Sequence, residues 1–172
     1  MEGKTMLKKG ALVVIIFASL FIATGPVRAG QEGKVTGSLK VFKNGSWLHR
    51  FSFSAQEMGD EQYDGKGFLF HQRIGEDGKV SRVEQCMILY VIVDGNEAWF
   101  AGPVFYDSTD PNPTHWFVVY VEDGSQPRGD NDLIWFTRAD NENDAHDLLE
   151  CEPNSCGTYP PDPLESGNLR VH

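Results

Sequence analysis

The chain has 172 residues, of which 40% are hydrophobic and 12% aromatic, a composition typical of one ordinary globular domain. It excludes intrinsic disorder, collagen and coiled coil. Asp and Glu number 25 against 15 Lys and Arg, a formal charge of -10. We therefore expect no binding to nucleic acid or to an anionic membrane surface.

The N-terminal segment has the pattern of a secretion signal. An uncharged apolar run extends from Ala11 to Thr24 after several lysines, and the small residues Val27 and Ala29 follow at the spacing that signal peptidase reads. The run is too short to cross a hydrocarbon core, although an uncleaved anchor helix is the alternative. We expect residues 1–29 to be a signal peptide, the mature chain to have no membrane span, and the protein to be secreted or periplasmic.

From Gly33 onward, apolar and polar residues alternate in the manner of β-strands. The turns between the strands contain Asn-Gly or Asp-Gly pairs, which supply the positive φ angles of tight hairpins. The predicted strands are Val35 to Phe42, Trp47 to Gln56, Gly67 to Ile74, Lys79 to Val93, Glu97 to Tyr106, His115 to Glu122 and Leu133 to Arg138. Residues 30–139 are therefore predicted to be all-β, an antiparallel meander of seven or eight strands that closes into a small barrel, with a sandwich as the alternative.

Residues 140–172 form a polar, proline-rich tail. The stretch Asp144 to Cys151 predicts one short helix, and the prolines after it predict an extended segment. In an oxidising compartment, Cys151 and Cys156 are expected to form a short-loop disulfide. Cys86 lies in an apolar run and is then expected to be a buried, unreactive thiol, with a bridge from Cys86 to the tail as the competing arrangement.

Several turn and core segments carry a resemblance to a known group of proteins. The segments are Gly67 to His71, Val93 to Gly102, and Phe117 to Gly124 followed by Pro127, Gly129 and Asp132. Over residues 50–136 the chain resembles a family of small secreted bacterial β-domains of uncharacterised function. The resemblance implies a β architecture and export, and it implies no reaction.

Alternation along the predicted strands assigns each side chain to one face of the sheet. Leu89, Val91 and Val93 are expected to face inward, together with Ala98 and Phe100. Six phenylalanines are also assigned to the interior: Phe51, Phe53, Phe68, Phe70, Phe100 and Phe117. Because these rings would fill a small barrel, they argue against a central ligand cavity.

The opposite face would carry an unusually apolar outer surface. Its residues are Ile88, Tyr90, Ile92, Trp99, Trp116, Val118 and Tyr120. Soluble monomers rarely leave so large an apolar patch in water. Three covers are considered: the protein's own tail around Leu148 and Leu149, a second copy of the chain, or a ligand or partner.

One predicted turn offers oxygen ligands for a hard cation such as Ca²⁺, through Asp123, Asp130 and Asp132. Tight turns use the same residue types without a metal, and no other cofactor is expected. A second candidate is His115, which begins a strand on the predicted inward side. It would stand at the barrel mouth, with Asp107 or Asp110 nearby in sequence, and act as a proton carrier.

Two functions are compatible with these patterns. The first is an exported, non-enzymatic binding or structural domain whose apolar outer surface contacts an unidentified protein partner or a second copy, since exposed Trp and Tyr supply binding energy at interfaces. The alternative is a small-molecule-binding barrel, a lipocalin-like carrier or isomerase-like enzyme, that uses the barrel mouth near His115. The sequence carries no familiar nucleophile, phosphate-loop or dinucleotide motif.

Overall fold

The structure is a computed structural model that describes residues 33–43, 47–59, 63–124, 131–150 and 161–172. Its elements are β1 (Lys34–Lys43), β2 (Trp47–Glu57), β3 (Asp64–Ile74), β4 (Val80–Asp94), β5 (Glu97–Asp107), β6 (Trp116–Glu122), β7 (Leu133–Ala139), α1 (Glu142–Leu149), β8 (Asp162–Pro163) and β9 (Ser166–Val171). Within these residues, no helix has the length and apolar character needed to cross a membrane.

All nine strands belong to one antiparallel sheet in the order β8-β7-β6-β5-β4-β3-β2-β1-β9. The prediction of an all-β meander with a short C-terminal helix is confirmed, and the single continuous sheet excludes the sandwich. The sheet curls into a half-barrel whose two edges are joined by the C-terminal segment. Two consecutive residues of this segment contact both edges: Leu164 N donates to Asp132 O beside β7, and Glu165 N donates to Lys40 O of β1.

Two of the predicted hairpin turns have the backbone that their glycines permit. Gly78 and Gly95 have φ angles of 75° and 63°, in the left-handed region that side chains with a Cβ rarely adopt. The pair Asp64-Gly65, predicted as a turn, instead begins strand β3. The positive φ before β3 is that of Tyr63, at 77°.

The concave face of the sheet holds the main core, in which β1 to β7 and β9 bury alternate side chains. Phe53 and Phe100 pack ring against ring with centroids 4.9 Å apart. A Cβ at Gly37 would collide with the Phe53 ring, so glycine is needed in β1 at this point. The core therefore fills most of the half-barrel, although only four of the six phenylalanines predicted to face inward belong to it.

The predicted facing of β3 is wrong. Phe68 is 44% exposed on the outer face and Phe70 is half-buried, whereas Leu69 and His71 point inward and are almost fully buried. Because three apolar residues are consecutive here, alternation allows two phases, and the polar His71 favoured the incorrect one. On the outer face, the Phe68 ring lies 6.0 Å from the ring of Phe105, which is also exposed.

The predicted facing of β4 is wrong over its central part. Ile88, expected on the outer surface, is only 1% exposed in the main core, and Leu89, expected inside, is 37% exposed. The register between β4 and β5 shifts between Cys86 and Tyr90, so one residue is added to the alternation. After the shift, Val91 faces inward as predicted.

Helix α1 packs on the outer face of the sheet, where it completes a second apolar cluster, here called the outer cluster. The helix contributes Ala145 and Leu149, with Leu148 packed at the margin. Its N-terminus is capped by Asn141, whose side chain accepts a hydrogen bond from Asp144 N. From the sheet come Tyr90, Ile92, Trp99, Ala101, Trp116, Val118, Tyr120, Trp135 and Ala139.

Candidate binding site at the mouth of the half-barrel

Polar side chains occupy the interior at one end of the half-barrel, here called the mouth. At this end β1, β3, β5 and β7 finish and β2, β4 and β6 begin, because neighbouring strands are antiparallel. The inward positions there carry Lys43, His49, His71, Glu84 and Arg138 instead of the aliphatic and phenyl groups found elsewhere. The mouth is therefore the part of the interior whose side chains can bind a polar ligand or take part in chemistry.

Glu84 is the centre of this polar group and is only 1% exposed. Its Oε2 accepts hydrogen bonds from His71 Nδ1 at 2.9 Å and Arg138 Nη2 at 2.6 Å. Its Oε1 accepts from Arg138 Nε at 2.9 Å and His115 Nε2 at 3.0 Å. Burial by itself raises the pKa of Glu84, but the bonds from His71, Arg138 and His115 outweigh burial and hold that pKa well below its ordinary value. Glu84 is therefore a buried carboxylate at neutral pH.

A chain of two histidines runs from Glu84 toward solvent. Burial lowers the pKa of His71, and burial together with the nearby His71 and Lys43 lowers the pKa of His49 to about 3, so both rings are neutral at pH 7. The carboxylate requires a proton on His71 Nδ1, which leaves His71 Nε2 to accept from His49 Nδ1 at 2.8 Å. The second nitrogen of His49, Nε2, is then an acceptor for a group outside this chain of bonds.

A second ion pair lies beside Glu84. Arg82 donates to both carboxylate oxygens of Asp107, with 3.1 Å between Nε and Oδ1. Asp107 also accepts from the amide and hydroxyl of Thr109 at 2.9 Å and 2.8 Å. Burial raises the pKa of Asp107, but the bonds from Arg82 and Thr109 lower it further than burial raises it. Asp107 is therefore a fully partnered carboxylate.

The predicted candidate His115 lies at this site, but its partner is not a neighbour in sequence. Its Nε2 contacts Glu84, whereas Asp110 accepts from Asn112 N at 3.0 Å. Possible ligand atoms of Glu84, Asp107 and His115 all lie within 4.8 Å of one another. Arg82 and Arg138 already neutralise the two carboxylates, and they would repel a cation placed between them. The arrangement therefore favours a closed hydrogen-bond network over a metal centre.

An open cleft of about 320 Å³ adjoins this network. Its polar lining comes from the cations Lys43, Arg73 and Arg138 and from the two histidines, and its apolar walls are rings of the main core. The full lining is Lys43, His49, His71, Arg73, Phe117, Phe136, Thr137 and Arg138. Among the residues that the structure describes, no acidic side chain lines the cleft, because Glu84 lies behind His71 and Arg138.

Two of the lining cations are held against aromatic rings. Lys43 Nζ donates to Phe136 O at 3.1 Å and lies 4.1 Å from the centroid of the Phe136 ring. Burial is the main cause of the lowered pKa of Lys43. The guanidinium of Arg73 stacks 4.8 Å from the Trp47 ring, and its Nε donates to Ser81 Oγ at 3.1 Å. Both cations are thereby positioned at the rim of the cleft.

The other predicted site residues lie elsewhere. Six residues of the predicted outer surface belong to the outer cluster beneath α1, and Ile88 lies in the main core. Asp132 Oδ1 accepts from Gly124 N at 3.1 Å and Asp123 Oδ2 from Val171 N at 3.5 Å, whereas Asp130 lies outside the described residues. The calcium hypothesis therefore stays a prediction.

Cys86 is a free, buried thiol, as predicted. Its Sγ donates to Gly102 O at 3.1 Å, and burial raises the pKa of the thiol to about 12. It is therefore neither a nucleophile nor bridged to the tail. Cys151, Cys156 and the predicted signal peptide lie outside the described residues, so the disulfide and export stay predictions.

Glu84, His71, His49 and Arg138 were not identified as a site from the sequence. One signal was available: His49 has the same parity in β2 as Phe51 and Phe53, which were correctly assigned to the interior. Glu84 gave no such signal, because its partners His115 and Arg138 are 31 and 54 residues away.

Comparisons with known proteins give no further guide, since no family model, curated protein or solved structure matches the chain. The resemblance to secreted bacterial β-domains stays a prediction that rests on its turn and core segments.

Proposed function

We propose that the protein is a small-molecule-binding β-domain that holds its ligand in the cleft at the mouth and does not transform it. The observation that carries this proposal is the buried, fully bonded Glu84 network immediately beside an open cleft. The N-terminal sequence pattern supports a location outside the cytoplasm. Of the two functions compatible with the sequence, the proposal takes ligand binding at the barrel mouth and not partner contact through the outer surface.

The Glu84 network is a poor device for stability alone. Removing a carboxylate from water costs several kcal/mol, and a well-packed apolar set of similar volume is often at least as stable. In this fold the rest of the same interior is apolar and well filled. Charged groups with shifted pKa values beside a cleft are therefore better explained by a binding role.

The histidine chain favours binding over proton transfer. A general base acts best when its pKa is near the working pH. The pKa of His49, about 3, lies far below neutrality, so Nε2 is a weak base and a reliable hydrogen-bond acceptor. Cys86 is protonated and buried, which removes its thiol as a nucleophile.

The depth of the core limits where a ligand sits. Phe51 and Phe117 are almost fully buried beneath the polar group, with ring centroids 6.3 Å apart. A ligand therefore lies at the mouth and not along the whole axis, unlike the deep calyx of a carrier barrel. The volume of the cleft, about 320 Å³, is near the lower end of the range found for small-molecule pockets.

The outer contact surface predicted from the sequence is largely covered in the fold. Trp116, Val118 and Tyr120 are buried between the sheet and α1, so they are not available to a partner while the helix is in place. The cover that the fold supplies is the tail around Leu148 and Leu149, the first of the three considered.

A binding experiment by NMR tests the proposal. Benzoate, benzamide and benzylamine, which differ in charge but hardly in size, are titrated into the ¹⁵N-labelled protein. At least one compound is expected to shift the amide signals of Phe117 and Phe136 saturably. His49→Phe, which puts a phenyl ring into the lining and loses the bond to His71, is expected to weaken the binding of that compound. His172→Phe, a matched change at an exposed histidine, is expected to have no effect. Saturable shifts for no compound in the cleft would contradict the proposal.

A further inference from the structure

Resting on the proposed function, we infer that the cleft selects a small organic anion, a molecule with a carboxylate at one end and a compact apolar body at the other. The inference combines three features of the cleft: its charge, the incomplete pairing of its cations, and the phenyl walls below them.

The charge of the lining is opposite to the charge of the protein. The chain has a net charge of -10, yet the described side chains that line the cleft include three cations and no acid. Arg138 is neutralised by its paired bonds to Glu84, which leaves Lys43 and Arg73 as the net charge of the lining. A positive cleft in an acidic protein concentrates anions at that one place.

Lys43 and Arg73 each retain hydrogen-bond donors that no described group of the protein uses. In the part of the chain that the structure describes, neither forms an ion pair with a carboxylate, although Asp162 is near enough to raise the pKa of Lys43 electrostatically. Lys43 Nζ donates one of its three hydrogens to Phe136 O, and Arg73 Nε donates to Ser81 Oγ. A ligand carboxylate would satisfy the remaining donors of two partly desolvated cations.

The two cations flank His49 across three neighbouring strands. In the register, Arg73 of β3 pairs directly with His49 of β2, and His49 pairs with Val41, two residues before Lys43 in β1. An anion held between Lys43 and Arg73 therefore lies close to the His49 ring. His49 is neutral, and its free ring nitrogen accepts a hydrogen bond but cannot donate one to a carboxylate. Lys43 and Arg73 therefore supply the selectivity for an anion.

The walls of the cleft suit an apolar body. Phe117 and Phe136 contribute nearly parallel rings, with an interplanar angle of 7°. An apolar cavity of about 150 Å³ is enough to enclose benzene. A cleft of about 320 Å³ is therefore large enough for a ring that carries an acid group, and too small for a lipid or a peptide.

The test compares ligands that differ only in charge and variants that differ only in the position of the lost cation. Calorimetry and NMR titration of the folded protein are expected to give benzoate a dissociation constant about tenfold below that of benzamide, the size expected for one charge-assisted hydrogen-bonded contact. Lys43→Gln and Arg73→Gln are each expected to remove most of that advantage, so that the ratio of the benzoate and benzamide dissociation constants moves toward one.

Two exposed cations, one on the strand of Lys43 and one on the strand beside Arg73, serve as matched controls. Lys40→Gln in β1 and Arg50→Gln in β2 remove the same charges from the exposed face and are expected to leave benzoate affinity within twofold. Thermal unfolding of every variant confirms that it is folded.

The outcomes separate this inference from the function on which it rests. If benzamide or benzylamine binds the cleft as tightly as benzoate, the anion inference is overturned and the binding function stands. If the control variants weaken benzoate as much as the cleft variants do, the selectivity is a general charge effect and the inference is again overturned. If no probe shifts the signals of the cleft, the proposed function itself fails.

Discussion

The two ends of the half-barrel interior use the same strands but opposite chemistry. At the end opposite the mouth, here called the closed end because side chains fill its interior, Phe53 and Phe100 pack ring against ring. At the mouth, the inward positions of the same sheet hold Glu84 with its arginine and histidine partners. The closed end gains stability from removal of apolar area from water. At the mouth, the burial of charged groups costs desolvation free energy, and this cost is offset only if every hydrogen bond is made. The comparison teaches that the apolar end stabilises the fold, whereas the polar end is costly to bury and is the end where we propose that a ligand binds.

The largest expected effect on stability is at the closed end. Phe100→Ala removes a fully buried ring from the main core and is expected to lower the free energy of unfolding by about 3–5 kcal/mol. Denaturant unfolding measures the change, with Phe105→Ala at an exposed ring as the control, expected to cost much less. Benzoate binding should persist in whatever fraction remains folded. A cost below 1 kcal/mol for Phe100→Ala would mean that the closed end is not the stabilising end.

Glu84→Gln removes the negative charge at the centre of the mouth with almost no change in side-chain size. The amide cannot accept from His71, Arg138 and His115 at once. It therefore leaves a buried donor unsatisfied and Arg138 without its counter-charge, and an unfolding cost of about 2–4 kcal/mol is expected. Glu76→Gln in an exposed turn is the control and is expected to change stability by less than about 0.5 kcal/mol. A Glu84→Gln variant as stable as the parent would show that the network is not formed.

The pH dependence of stability separates the two ends further. Since the pKa of His49 is lowered to about 3 in the folded state, the unfolded state binds more protons between that pH and its ordinary pKa of 6.5. Stability is therefore fully present above about 6.5 and falls as the pH is lowered toward 3, by about 2 kcal/mol from pH 7 to pH 5.

Substitution at the same ring identifies the source of that slope. His49→Phe is expected to flatten the loss of stability between pH 7 and pH 5, measured by urea unfolding at each pH, whereas His172→Phe is expected to leave it unchanged. Equal slopes in the parent and in His49→Phe would mean that His49 titrates normally.

The smallest effect concerns Cys86, at the boundary between the two ends. Its thiol has a pKa raised to about 12 and a bond to Gly102 O, so iodoacetamide at pH 8 is expected to leave it unmodified in the folded protein and to alkylate it after unfolding. Peptide mass spectrometry reads this residue separately from Cys151 and Cys156. Rapid alkylation of Cys86 in the folded state would show that the polar mouth extends deeper than the structure places it.

The strand order could be predicted from the sequence because it depends on local signals. Asp-Gly pairs at Gly78 and Gly95 require a positive φ and therefore mark hairpins, and short hairpins allow little besides an antiparallel meander. The facing of β3 and β4 could not be predicted in the same way. In β3 a run of apolar residues fits either phase, and in β4 the shift near Ile88 depends on the pairing with β5.

The mouth could be predicted only in part. His115 was singled out because it begins a strand, and it is at the site. Its acidic partner Glu84 comes from β4 and its neighbour Arg138 from β7, and no local pattern connects strands so far apart in sequence. The buried His71 was missed for a physical reason: a polar side chain is normally placed outward, and the network that satisfies it inside is visible only in three dimensions.

The central claim is that the mouth holds a small organic anion, and a crystal structure of the protein soaked with 4-bromobenzoate tests it most directly. The anomalous signal of bromine locates the ligand without assumptions about its pose. We predict one site in the cleft, with the ring against Phe117 and Phe136 and the carboxylate within hydrogen-bond distance of Lys43 or Arg73. A bromine position only outside the cleft, or an empty cleft at ligand concentrations that saturate benzoate binding in solution, would contradict the claim.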